Sequence, residues 1–130
     1  MSARKILLVD DSGTLLLLER AALQSAAGYQ ILAAKDGEAG VRAALAHRPD
    51  LILLDAGPPG PSEMAASEIC HQLRSHETTR AIPILLLAPR GTEAAQKKAR
   101  GGFPFGCDGS IIKPFEHNEL LSKVRSLLGD

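Results

Sequence analysis

The chain has no tryptophan, one tyrosine and three phenylalanines, so its core cannot be built on large aromatic rings. Aliphatic side chains must fill it. Two cysteines, Cys70 and Cys107, are too few for a disulfide scaffold and lack metal-ligand spacing. They are expected to be free thiols in a reducing cytoplasm. An excess of either charge is also missing: fifteen basic residues balance fifteen acidic ones. Nothing in that balance draws the chain onto nucleic acid or an anionic membrane, because such binding needs clustered positive charge. The longest basic cluster, Lys97, Lys98 and Arg100, reads as a solvated helix face. No apolar run approaches the ~20 residues that cross a bilayer. The N-terminus leads from Lys5 straight into a short strand-like run, without the apolar segment and cleavage site of a signal peptide. The histidines His47, His71, His76 and His117 are scattered over helix and loop positions and read as surface residues.

What is present fits a single domain. The 130 residues match the commonest domain size, and 45% hydrophobic with 23% charged residues excludes wholesale disorder. Four short apolar runs stand out: Ile6-Leu7-Leu8-Val9, Leu51-Ile52-Leu53-Leu54, Ile84-Leu85-Leu86-Leu87 and the weaker Ser110-Ile111-Ile112. A fifth covers 29–34, after a Gly28 placed as a helix C-cap. Runs without alternation belong to strands buried on both faces, hence to a parallel sheet covered by helices. Segments of helical length separate them: 12–27 after a Ser12 cap, 37–47 after an Asp36 cap and ended by Pro49, 62–76, 92–100 and 116–128. In the last, Leu120, Leu121, Val124, Leu127 and Leu128 fall on one face.

The order strand–helix, five times over, predicts an α/β fold: a doubly wound, five-stranded parallel sheet of order 2-1-3-4-5 flanked by five helices, flavodoxin-like. In such sheets chemistry sits at the carboxyl ends of the strands. There the sequence places Asp10 and Asp11 after the first strand, Asp55 after the third, Ala88-Pro89 after the fourth and Lys113-Pro114 at the fifth. An aspartate after a strand is ordinarily a helix cap or loop residue, and none of these carries weight alone. Together they do: carboxylates converging on one sheet edge repel one another unless a cation joins them. Few oxygen ligands with room for water suit Mg²⁺. A lysine beside them suits a phosphoryl oxygen, and a carboxylate so placed can attack a phosphoryl donor. No serine, cysteine or histidine occupies a strand end to seat a hydrolase triad.

With these residues in place the sequence resembles the CheY-like receiver domain of bacterial two-component response regulators, in an atypical form. The resemblance runs from Lys5 to Leu128 and is strongest over Ile6–Ser12, Asp36-Gly37-Glu38-Ala39, Arg48–Asp55, Pro59-Gly60, Ile82-Pro83-Ile84 and Lys113-Pro114-Phe115. It implies that Asp55 accepts a phosphoryl group from a histidine kinase or phosphotransfer protein. It further implies that Asp11, Asp55 and the backbone carbonyl of Gly57 hold Mg²⁺, with Asp10 acting through water, and that Lys113 contacts the phosphoryl oxygen. The whole chain, 1–130, is then one receiver domain with its core at about 5–128. Such a domain is a signalling module and no enzyme. It would act on a downstream protein target through partners, or as part of a longer chain.

The sequence departs from the family at the internal switch. Ala88 stands where the family has a serine or threonine hydroxyl, and Pro89 removes the backbone N–H that would follow it. Hydrogen bonds to charged groups contribute ~1.5–3 kcal/mol each, so the phosphorylated state would lack several kcal/mol of stabilisation. Ser110 stands where the family has an aromatic switch residue. The stretch 101–106, Gly-Gly-Phe-Pro-Phe-Gly, cannot be regular helix and carries Phe103 and Phe105. Either ring could fill the space of the missing aromatic or serve a partner surface. Leu15 to Leu18 cover every side of the first helix, which leaves Leu16 and Leu17 as an exposed partner patch. The alternative to a phosphoacceptor is a pseudo-receiver, an interaction module independent of phosphorylation. A nucleotide- or flavin-binding enzyme of the same fold is disfavoured, because Asp10-Asp11-Ser12-Gly13 is acidic where a glycine-rich phosphate loop would be needed.

Overall fold

A computed structural model describes residues 4–10, 23, 28–56 and 61–130, with side chains unspecified at 61–64 and 99. The elements are β1 (Lys5–Val9), β2 (Gln30–Ala34), α1 (Gly37–His47), β3 (Leu51–Asp55), α2 (Pro61–Ser75), β4 (Ile84–Pro89), α3 (Glu93–Ala99), a 3₁₀ turn (Pro104–Gly106), β5 (Gly109–Lys113) and α4 (His117–Leu128). Of the helix expected over 12–27, only Leu23, which is helical, is described. The other four helices lie within a residue or two of their expected bounds.

All strand pairings are parallel and the order is β2-β1-β3-β4-β5, as the sequence pattern required. The three inner strands explain the unbroken apolar runs. Leu7, Val9, Ile52, Leu54, Ile84, Leu86 and Ala88 face one core layer with Val41, Ala44, Ala66, Cys70, Leu73, Ala94 and Ala95 of α1, α2 and α3. Ile6, Leu8, Leu51, Leu53, Leu85 and Leu87 face a second layer with Leu23, Tyr29 and, from α4, Leu120 and Val124. Side chains alternate across a strand, so both faces need aliphatic residues. The edge strand β2 shows the converse, with Gln30 and Ala33 exposed.

Local signals set the helix ends. Asp36 is extended (φ −148°, ψ 170°) and its Oδ1 accepts the Ala39 N–H at 2.8 Å, capping α1. Arg48 ends the same helix in the left-handed region (φ 47°), its N–H donating to the Ala44 carbonyl at 3.0 Å, and Pro49 follows. Thr92 caps α3 by accepting the Ala95 N–H at 3.1 Å. Cys70 and Cys107 are both free and buried in the first core layer, where burial pushes the Cys70 thiol up to about 12. They behave as small apolar side chains.

Gly40 brings α1 onto the sheet. A Cβ there would lie 2.9 and 3.0 Å from the two Val9 methyls. Valine is stiff at χ1 and Val9 sits in a central strand, so neither can give way cheaply. Overpacking costs ~1–3 kcal/mol and helix propensity returns ~1 kcal/mol. Gly40→Ala is therefore expected to be destabilising by about 1 kcal/mol in urea unfolding. A stability equal to or above the parent would show that the helix can lift from β1.

Candidate functional site

The ladder registers deliver the expected side chains to one edge. Val9 pairs with Leu54, which sets Asp10 beside Asp55, and the Asp10 N–H donates to the Ala34 carbonyl at 3.1 Å. Asp55 ends β3 opposite Leu87 of β4, and Pro89 of β4 stands opposite Lys113 of β5. Asp10 is 4% exposed. Lys113 Nζ lies 2.6 Å from both Asp55 carboxylate oxygens, a two-point ion pair across the end of β4. The side chains are 7% exposed at Asp55 and 19% at Lys113, so the pair is shielded from water and screened little by salt. The Lys113–Pro114 peptide bond is cis.

Asp10 and Asp55 open into a recess of about 200 Å³, also lined by Lys35, Asp36, Gly37, Ala65, Ala66 and Ile69. Water occupies ~30 Å³ in the liquid, so the recess has room for several molecules. Two buried carboxylates facing space for water form a hard-oxygen donor set of the kind Mg²⁺ takes. Among the described residues no group of three metal-ligating side chains forms. Asp11 and Gly57, which the resemblance adds to the set, lie outside the described residues.

The residues read as departures from the family's switch lie in β4 and β5. Ala88 is fully buried between β3 and β5, and Ser110 is 3% exposed opposite Leu86. Ala88 has no hydroxyl and Pro89 no backbone N–H to offer the site. The Pro89 carbonyl accepts the Thr92 hydroxyl at 2.7 Å, which closes the β4–α3 turn on itself.

Of the candidate partner residues, Phe103 is 60% exposed. Phe105 does not stand out beside it: it is half-buried against the first core layer. The reason is the 3₁₀ turn, whose Pro104 is buried and in which Phe105 itself takes φ 57°, turning the ring inward. Leu16 and Leu17 lie outside the described residues.

The sequence reading passed over Lys35. The signal was present, because Lys35 directly follows β2, the strand beside β1, and the rule that selected Asp10 applies equally there.

Comparison with known proteins agrees with this arrangement. The response regulator receiver domain profile matches residues 6–125. The chain belongs to that family, the receiver module of two-component signal transduction. It is 37% identical over 124 residues to the DNA-binding dual master transcriptional regulator RpaA of Synechocystis, covering 95% of this chain and 48% of RpaA. The receiver thus spans about half the length of that relative. It is 28% identical to the polar-differentiation response regulator DivK of Brucella anthropi, covering 98% of each chain. Among solved structures, the receiver domain of the Pseudomonas aeruginosa sensor histidine kinase PA1611 superposes with a TM-score of 0.79 at 29% identity, over 99% of this chain and 100% of that one. That structure has a magnesium ion coordinated in its active site cleft. Among the described residues of the present receiver, no helix is long and apolar enough to cross a membrane.

Proposed function

We propose that the chain is a single receiver domain, 1–130, that takes a phosphoryl group on Asp55 from a histidine kinase or phosphotransfer protein. The observation that carries this reading is the ion pair of Lys113 with both oxygens of Asp55, a residue that lines one recess together with Asp10. Asp55 is taken as the acceptor because it lines that recess and its carboxylate is paired with the Lys113 ammonium. One oxygen forms the new O–P bond as the P–N bond of a phosphohistidine breaks, and the electron pair leaves with the imidazole, which takes up a proton. Lys113 then neutralises a phosphoryl oxygen in place of the carboxylate oxygen it now holds. Asp10, Asp11, Asp55 and the Gly57 carbonyl would hold Mg²⁺, which when bound supplies charge neutralisation at the transferring group.

The response to phosphorylation is muted. Ala88 and Pro89 offer no hydroxyl and no N–H, Ser110 has no ring to reposition, and the Thr92–Pro89 bond fixes the turn between β4 and α3. Output then reaches a downstream protein mainly by contact, with Phe103 and the leucines at 16 and 17 as candidate surfaces.

The test is intact mass after incubation with Mg²⁺ and a small-molecule phosphodonor, with Asp55→Ala as control and amide spectra recorded on the same samples. One phosphoryl adduct is expected on the parent and none on the variant. Chemical-shift changes should stay local to the recess and leave β5 and α3 in place. No adduct on folded protein would replace this reading with the phosphorylation-independent one, and large shifts along β5 would overturn the muted response.

A further inference from the structure

The recess is acidic, yet its substrate must be a phosphoryl donor carrying negative charge. Asp10, Asp36 and Asp55 line it, and the Lys113 ammonium is committed to Asp55. Among the described lining residues the one basic side chain is Lys35. Its backbone is fixed on both sides. The Ala34 carbonyl before it accepts the Asp10 N–H at 3.1 Å, which ties the end of β2 to the end of β1. Asp36 after it is held as the cap of α1 through the Ala39 N–H at 2.8 Å. The next residue, Gly37, packs against Ile69 of α2: a Cβ there would fall 2.3 Å from Ile69 Cδ1, so that side chain would have to shift. Lys35 is exposed and lines the recess, so its ammonium, on a flexible stem rooted at this fixed backbone, can reach the recess opening.

We infer that Lys35 is a positioning residue for the phosphoryl donor: a rim cation that offsets the carboxylates and draws the anionic group in before transfer. This rests on the reading of Asp55 as acceptor. Lys35 acts before the bond changes, so it raises the capture of donor and leaves the transfer step alone. A unit charge at a water-facing rim shifts an anion's encounter by a modest factor that falls with salt.

The experiment measures adduct formation on Asp55 with acetyl phosphate, a dianion at neutral pH, and with phosphoramidate, which carries less net charge. Lys35→Gln is expected to lower the second-order rate constant for acetyl phosphate roughly three- to tenfold, and Lys35→Glu to lower it further. Lys35→Arg should retain it. The loss should be smaller for phosphoramidate, should vanish at high salt, and should leave the rate at saturating donor unchanged. Lys97→Gln, an exposed lysine on α3, serves as control and should change nothing. Equal losses for both donors, or an unchanged salt dependence in Lys35→Gln, would overturn the inference while leaving Asp55 as acceptor. Absence of any adduct on the parent would instead remove the acceptor reading and this inference with it. Lys35 is exposed, so unfolding midpoints of all three variants should match the parent.

Discussion

Lys113→Met is expected to slow adduct formation on Asp55 by about 10²-fold, the usual size of losing one preorganised charge partner at a reacting centre. Two effects oppose each other. In the resting protein the lysine ties up both carboxylate oxygens at 2.6 Å, so its removal frees the nucleophile. It also removes the one ammonium seen at the acceptor, leaving a buried carboxylate to meet an anionic donor without it. The second effect dominates because transfer adds negative charge at the site, whereas freeing the carboxylate only raises its reactivity.

The same substitution strands Asp55, 7% exposed, without its cation. Breaking a buried pair from one side costs 3–5 kcal/mol; Lys113 keeps part of its surface in water, so about 2–3 kcal/mol is expected here. Adding Asp55→Asn should recover most of that loss, since the neutral amide needs no cation. Urea unfolding of the two single variants and the double variant measures the coupling. Additive losses would mean the pair contributes nothing as a pair, and a rate unchanged in Lys113→Met would remove the lysine from the phosphoryl site.

The juxtaposition of Asp10, Asp55 and Lys113 was legible because it follows from topology alone. Once five apolar runs fix the strands and right-handed crossovers fix their order, the residues after each run must share an edge. Ala88 and Pro89 fall at the end of β4 by the same count, whereas Ser110, near the start of β5, was picked out by the family resemblance alone. Side-chain direction was not. Phe103 and Phe105 are two residues apart in one Gly/Pro-rich loop and look equivalent in sequence, yet one is exposed and the other packs inward. The difference lies in the left-handed φ of Phe105, a conformation that sequence does not announce for phenylalanine. Lys35 was passed over because a lysine after a strand is ordinarily a solvated residue. Only the recess beside it gives the charge a role.

Arg74 was the least legible, because its partners are mostly backbone carbonyls with no signature of their own. From the last turn of α2 its Nη1 donates to the carbonyls of Arg80 and Ile82, both at 2.8 Å. Its Nη2 donates to the Gly106 carbonyl at 3.2 Å and to the Asp108 carboxylate, whose Oδ2 in turn accepts the Ile84 N–H at 2.8 Å. One guanidinium thereby joins the end of α2, the loop into β4, the 3₁₀ turn and the start of β5. Arg74→Met is expected to lower stability by roughly 2–3 kcal/mol. The four contacts would sum to more if buried, but the Asp108 side chain is 42% exposed and water replaces part of what is lost. Arg74→Lys should recover only a minor part, because an ammonium cannot span acceptors set out for a planar fork.

The loss should be accompanied by faster amide exchange from Phe103 to Asp108, as the turn that presents Phe103 is released. Adduct formation on Asp55 should be unchanged at temperatures where the variant is folded. The clamp sits where β4 and β5 begin, and the recess of Asp10 and Asp55 sits where the strands end. If Arg74→Met instead altered the rate at Asp55, the two ends of the sheet would be coupled through β4, and the muted response ascribed to Ala88 and Pro89 would need another explanation.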